Sequence, residues 1–192
     1  MELLDVGVGY SLGRIRAEID AAVARVVNES AFALGSIADL VSGAPRIFVL
    51  GAGRSGLALR MTAMRLMHLG LEVHVVGEVT SPAIGRGDLL LTASGSGTTG
   101  SLVRAAETAR SVRARVAVIT TAPDSPLAAL ADATVVVPAA DKLDRSQSAS
   151  AQYAGSLFEQ VVVLIGDALF HALWRRSGQS ADELWPRHAN LE

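Results

Sequence analysis

The sequence predicts an α/β fold: a three-layer, doubly wound sandwich around a five-stranded parallel sheet. Three features carry this. Short apolar runs recur between segments of helical periodicity. The runs are apolar throughout rather than alternating, as in strands covered on both faces. Two of them end directly in glycine-rich turns that open helices, the order of a βαβ unit.

The elements follow in chain order. Residues 11–41 hold two apolar stripes at helical spacing. One is Ile15, Ile19, Ala22, Val23, Val26 and Val27; the other is Phe32, Leu34, Ile37, Leu40 and Val41. Ser11 is placed to cap the start, and Gly43 with Pro45 ends the segment. This reads as one long helix, or two joined near Asn28, forming an N-terminal arm outside the sheet or against another subunit. The first strand is 47–50, and a helix from about Ser55 to His68 follows, ended by Gly70. Strands two and three are 73–76 and 88–93, separated by a loop containing Pro82. A helix spans about 100–112, strand four 116–120, a short helix lies near 127–130, and strand five is 133–137, closed by Pro138. A polar loop over 139–151 leads to a long helix from about Gln152 to Arg175, and the tail from Ser180 adds one more helical turn.

Composition narrows the function. A chain of this size buries roughly 70% of its unfolded surface. With no cysteine, a disulfide framework, a thiolate nucleophile and any cysteine-based metal site are excluded. That accords with the cytoplasm. The acidic start, Met1 to Asp5, lacks the basic region of a signal peptide. The apolar stretch Val161–Trp174 is interrupted by Asp167 and His171, and reads as a buried helix too short and too polar to span a bilayer. A net charge of −2 without basic clusters, and only 4% aromatic residues, leave no footprint for nucleic acid. Half of the residues are hydrophobic, more apolar surface than a lone domain readily buries, which points to an oligomer.

Ligands of open parallel sheets bind beyond the carboxyl ends of the strands, and two loops lie there. The first, Gly51-Ala52-Gly53-Arg54-Ser55-Gly56, fits the G-x-G-x-x-G of dinucleotide sites, with Glu78 near the position of a ribose-binding acid. A plain tight turn accounts for it equally well. The second, Ser94-Gly95-Ser96-Gly97-Thr98-Thr99, sets four hydroxyls and two glycines after a strand. Capping and turn chemistry explain one or two of them. All four, with backbone N–H groups at a helix N-terminus, suit a compact phosphate dianion better than a pyrophosphate. A nicotinamide oxidoreductase would leave this second loop unexplained.

Together, G-A-G-R-S-G and S-G-S-G-T-T after successive strands resemble the sugar isomerase (SIS) domain. The segments Q-Y-A-G-S-L-F-E-Q at 152–160 and R-H-A-N-L-E at 187–192 are similar to those of the 6-phospho-3-hexuloisomerases. The resemblance covers nearly the whole chain. It implies one SIS domain over 1–192, with helices over 1–44 and the sheet core over 45–192. It implies an aldose–ketose-type phosphosugar isomerase, converting 3-hexulose 6-phosphate to fructose 6-phosphate through an enediol, partnered with 3-hexulose-6-phosphate synthase in formaldehyde fixation by the ribulose monophosphate pathway. It also implies a homotetramer built as a dimer of dimers. The alternatives are another SIS isomerase, such as one for arabinose 5-phosphate, or a non-catalytic sugar-phosphate sensor. The first commonly carries CBS domains and the second a DNA-binding domain, and neither is evident in this sequence.

By that resemblance the phosphate lies on Ser94, Ser96 and Thr99, with Thr98 in the same loop, while Ser55 faces the sugar and Arg54 adds charge. Glu159 corresponds to the family's base. His188 corresponds to a histidine that related enzymes donate from a neighbouring subunit. The residues alone do not choose between His171, on the apolar face of the long helix, and His188, in the polar tail. His68 ends a helix, where it can interact with the dipole, and His74 lies in a strand. Gln152, Tyr153, Ser146, Gln147 and Ser148 either line the sugar pocket or serve as loop and capping residues. Moving a carbonyl to the adjacent carbon needs a carboxylate facing both carbons and a second group that moves a proton between the oxygens. No metal or redox cofactor is required for that, and no histidine pair has metal-ligand spacing.

Overall fold

The computed structural model describes residues 7–140, 144 and 150–191. The candidate pocket residues Ser146, Gln147 and Ser148, and the terminal Met1–Asp5, lie outside these.

Two helices come first, α1 (Val8–Glu29) and α2 (Ala31–Gly43), parted at Ser30, close to the break expected near Asn28. Gly7, not Ser11, is the N-cap of α1, so Ser11 stands within the helix. The core alternates β1 (Ile47–Gly51), α3 (Gly53–His68), β2 (Val73–Val75), β3 (Leu89–Ala93), α4 (Gly100–Ser111), β4 (Arg115–Thr120), α5 (Pro126–Ala129) and β5 (Ala133–Val136). After it come α6 (Ser156–Ser177), α7 (Ala181–Leu184) and a 3-10 turn, Trp185–Arg187.

All five strands pair in parallel, in the order β2-β1-β3-β4-β5. The predicted doubly wound sheet is therefore the observed one. Side chains alternate across the sheet. Ile47, Val49, Leu89, Leu91, Ala117, Ile119 and Val135 pack with α2, α3 and α6. Phe48, Leu90, Val116 and Val118 pack with Leu102, Ala106 and Ala109 of α4 and Leu127 of α5. The order reverses between β1 and β3, the place where such sheets hold ligands, and the two glycine loops leave from these two strands.

The third glycine of the first loop has a packing reason. A Cβ at Gly56 would lie 2.5 Å from the carbonyl oxygen of Gly51. The backbone of α3 touches the end of β1, and only a residue without a side chain fits there.

Helix α6 differs most from expectation. It begins at Ser156, not Gln152, and runs 22 residues. By length and composition it is long and apolar enough to cross a membrane, longer than the stretch first picked out. Here Leu157, Phe158, Val161, Val162, Ile165, Leu169 and Leu173 are buried in the core. Its start is displaced because residues 150–155 form a loop in which Ala154 takes a positive φ of 51°.

Candidate active site

Helices α3, α4 and α6 all start at one cavity of about 490 Å³ at the carboxyl edge of the sheet. Its lining includes Arg54, Ser55, Ser94, Ser96, Thr99, Tyr153 and Glu159, so seven of the sequence-derived candidates share one space. None of the three helices has a side-chain cap on its first turn. Their leading N–H groups are thus free of side-chain acceptors, and each N-terminus carries roughly half a positive charge. Such a place attracts an anion.

The hydroxyl loop is tightly wound. The Ser94 hydroxyl is 3.2 Å from that of Thr99 and accepts the Gly97 N–H at 3.2 Å. Thr98 donates its hydroxyl to Ser96 Oγ at 3.0 Å and its N–H at 3.3 Å. Turn chemistry therefore engages Ser94 and Ser96, as the plain reading expected, yet neither caps α4. Thr98 is exposed and is not among the lining residues. Gly97 has φ +61°, and a side chain there would collide with Ser125. Thr120 and Thr121 donate their hydroxyls to the Gly95 carbonyl at 3.0 and 2.8 Å, fixing the loop from β4. Phe158 of α6 packs beneath Gly95.

Glu159 sits in the first turn of α6, with its side chain 21% exposed, and its Oε2 is 2.5 Å from Arg54 Nε. The guanidinium expected to reach the phosphate or sugar thus already holds the carboxylate. Glu78 pairs instead with Arg60 at 2.6 Å on the outer side of α3, and it does not line the cavity.

The histidines separate clearly. His171, read as lying on the apolar face of the long helix, is exposed. His188 is away from the cavity of its own chain. Its ring stacks on His68 at 4.0 Å between centroids and on Trp185 at 4.7 Å. His68 ends α3 while the cavity is at that helix's start, a separation of roughly 22 Å at 1.5 Å per residue. Arg187 anchors this tail by donating to the His68 carbonyl at 3.0 Å.

His68 is 4% exposed, and its Nδ1 has no partner among the described residues. Burial, helped by His188 and Arg65, lowers its pKa below the ordinary 6.5. It is therefore a neutral core histidine, not a cation on the helix dipole. A base with a depressed folded pKa takes up its proton more readily when unfolded. Its stabilising contribution is complete above pH 6.5 and is lost as pH falls through the lowered value. The melting temperature should begin to fall as pH drops below 6.5, and His68→Phe should flatten that fall. Calorimetry across this range checks it.

Of the wall formed by the loop before α6, the sequence reading offered Tyr153 as either a pocket or a loop residue and did not name Ala154, Gly155 or Ser156 as lining. Tyr153, Ala154, Gly155 and Ser156 line the cavity, which settles the place of Tyr153. Gln152 instead lines an adjoining space of about 560 Å³ with Tyr10, Arg14 and Glu18 of α1. Glu18 receives the Ser150 hydroxyl at 2.6 Å, the Ala151 N–H at 2.9 Å and the Gln152 amide at 3.1 Å. Burial opposes its charge, but these bonds and Arg14 outweigh that and hold the carboxyl below its usual range. Nothing in the sequence links Glu18 to residues 132 positions away.

Comparison with known proteins adds to this geometry. Residues 40–163 match the SIS domain family. A 3-hexulose-6-phosphate isomerase of Mycobacterium gastri is 55% identical over 95% of this chain and 90% of its own. One of Bacillus subtilis is 38% identical over 94% of this chain and 97% of its own. A Methanococcus jannaschii protein, whose crystal structure infers a 3-hexulose-6-phosphate isomerase function, superposes with a TM-score of 0.82 at 29% identity, covering 95% of this chain and 99% of that one.

Proposed function

The chain belongs to the SIS domain family, and on that premise we propose how its cavity works as the site of an isomerase. The enzyme acts on 3-hexulose 6-phosphate and yields fructose 6-phosphate, as the names of its relatives imply. The observation that carries the site assignment is the convergence of three uncapped helix N-termini and a hydroxyl loop on a cavity with a carboxylate at its wall.

In this reading the phosphate docks on Ser94, Ser96, Thr99 and the first N–H groups of α4, with Thr98 bracing Ser96. Its binding energy positions the far end of the sugar. Glu159 removes the proton from C2 of the hexulose and returns it to C3, through the 2,3-enediol. The hydroxyl proton moves from O2 to O3 by a second group. Arg54 beside the carboxylate balances charge on the enediolate oxygens, and Ser55 faces the sugar. Hydrogen moves only within the substrate, so the reaction needs no external oxidant or reductant.

We assign the second group to His188 of another copy, since in its own chain it lies at the wrong end of α3. That requires an oligomer. Leu57, Met61 and Met64 form an exposed apolar row on α3, at 62%, 50% and 56%, a face suited to a neighbouring subunit. We propose a tetramer of single-domain chains, acting in the cytoplasm downstream of a 3-hexulose-6-phosphate synthase in formaldehyde fixation.

The test supplies purified protein with 3-hexulose 6-phosphate and reads fructose 6-phosphate through phosphoglucose isomerase and glucose-6-phosphate dehydrogenase. No product from folded protein overturns the reading, and faster turnover of arabinose 5-phosphate replaces the substrate. The shared site makes a further prediction. Glu159→Gln and His188→Gln chains are each inactive alone, but refolding them together at equal amounts makes about a quarter of the sites whole. Activity should return to about that fraction of wild type. No recovery assigns His188 elsewhere.

A further inference from the structure

We propose that Glu18, on the N-terminal arm, is a positioning residue for the isomerisation: it fixes the 150–155 loop and through it the start of α6, where Glu159 stands. This rests on the assignment of Glu159 above and extends it to a residue outside the cavity lining.

Among the described residues, the bonds of the loop to anything but Glu18 and Gln160 are local. Gln152 N–H reaches Ser150 Oγ at 3.1 Å, and the Ser156 hydroxyl reaches the Tyr153 carbonyl at 2.8 Å. Ala154 is held at a φ of 51°, a conformation a non-glycine residue keeps only when its surroundings impose it. Gly155, the N-cap of α6, contributes no side-chain cap. The Glu18 carboxylate supplies what is missing, drawing three donors from consecutive residues onto a rigid 22-residue helix. Gln152 passes the constraint on, since its Oε1 accepts from Gln160 at 2.9 Å, the residue next to Glu159. One carboxylate therefore ties α1, the cavity wall and the first turn of α6 together. The hydroxyl loop is held separately, by Thr120 and Thr121.

That division predicts a particular kinetic signature. Loss of the Glu18 grip loosens the end of the site where proton transfer occurs and leaves the phosphate end intact. Glu18→Gln keeps the shape but removes the charge that two side-chain donors and one N–H now share. Its kcat should fall about tenfold or more, the scale of a lost charge-assisted hydrogen bond. KM should stay within about twofold, because phosphate binding sets it. Glu18→Asp should recover part of the loss, and Ser150→Ala, which deletes the 2.6 Å bond from the other side, should reproduce it.

The experiment measures kcat, KM and melting temperature for these three variants, and amide hydrogen exchange across 150–156 in wild type and Glu18→Gln. Lower kcat with unchanged KM in a folded variant, together with faster exchange at Ala151 and Gln152, supports the proposal. Full activity in Glu18→Gln, or a loss that appears in KM alone, overturns it. If Glu18→Gln does not fold, Ser150→Ala decides by the same criteria. If wild type itself fails to turn over the hexulose phosphate, the functional reading falls. The exchange data then judge the grip alone, with unchanged protection at Ala151 overturning it.

Discussion

Glu159→Gln should lower kcat by about 10³-fold, within the 10²–10⁴ range of general acid–base assistance, or about 4 kcal/mol of barrier. The substitution preserves shape and hydrogen-bonding capacity but cannot accept a carbon-bound proton. Its effect should be confined to chemistry. The hydroxyl loop proposed to hold the phosphate lies across the cavity on separate hydrogen bonds, so substrate binding should persist. The partner of Glu159 is Arg54, 64% exposed, and losing such a partly solvated pair changes stability little. Steady-state kinetics and a melting curve on one preparation test this. If the variant keeps more than a tenth of wild-type kcat, Glu159 is not the base, and another group takes the carbon-bound proton.

Gly56→Ala should be the most damaging small substitution in the first loop. The added methyl would meet the Gly51 carbonyl at 2.5 Å, backbone against backbone, with no flexible side chain to yield. Overpacking of this kind costs up to about 3 kcal/mol, which lowers the melting temperature by roughly 6–12 °C in a chain of this length. The start of α3 would be pushed away from β1, carrying Arg54 and Ser55 with it, so activity should fall too. Gly53→Ala is the contrast: its Cβ meets nothing within 4 Å, and only its φ of +57° is unfavourable, a cost of about 1 kcal/mol. Equal melting temperatures for the two variants would show that the close approach of strand and helix does not constrain this joint.

The G-x-G-x-x-G of this chain thus owes its third glycine to packing, with no dinucleotide implied. The motif located a loop at the carboxyl edge of the sheet, where it lines the cavity, but Glu78, read as a ribose partner, pairs with Arg60. Both loops were placed by the sequence because turn chemistry is local. A strand that ends in Gly-Ala-Gly or Ser-Gly-Ser declares itself without reference to anything distant.

Helix boundaries were legible where a cap or breaker marks them, as at Gly43 and Gly70, and were lost before α6. There the helical apolar pattern extends back toward Gln152, but the chain is held off the helix by contacts with α1. His171 was misjudged for a related reason. Periodicity shows that α6 has an apolar face, but not how wide a strip its neighbours cover, and His171 falls outside the covered strip.

By itself the sequence determined the parallel sheet and the two glycine loops at its carboxyl edge, and it named hydroxyl and carboxylate residues that the fold gathers round one cavity. Apolar period, glycine turns and hydroxyl clusters are properties of neighbouring residues. Only the tertiary structure decided that Arg54 faces Glu159, that Glu18 grips the loop before α6, and that His188 stacks on His68 at the far end of α3. Each of these joins segments that are far apart in the chain. Such pairings follow from how the helices close over the sheet, and residue spacing carries no record of that closure.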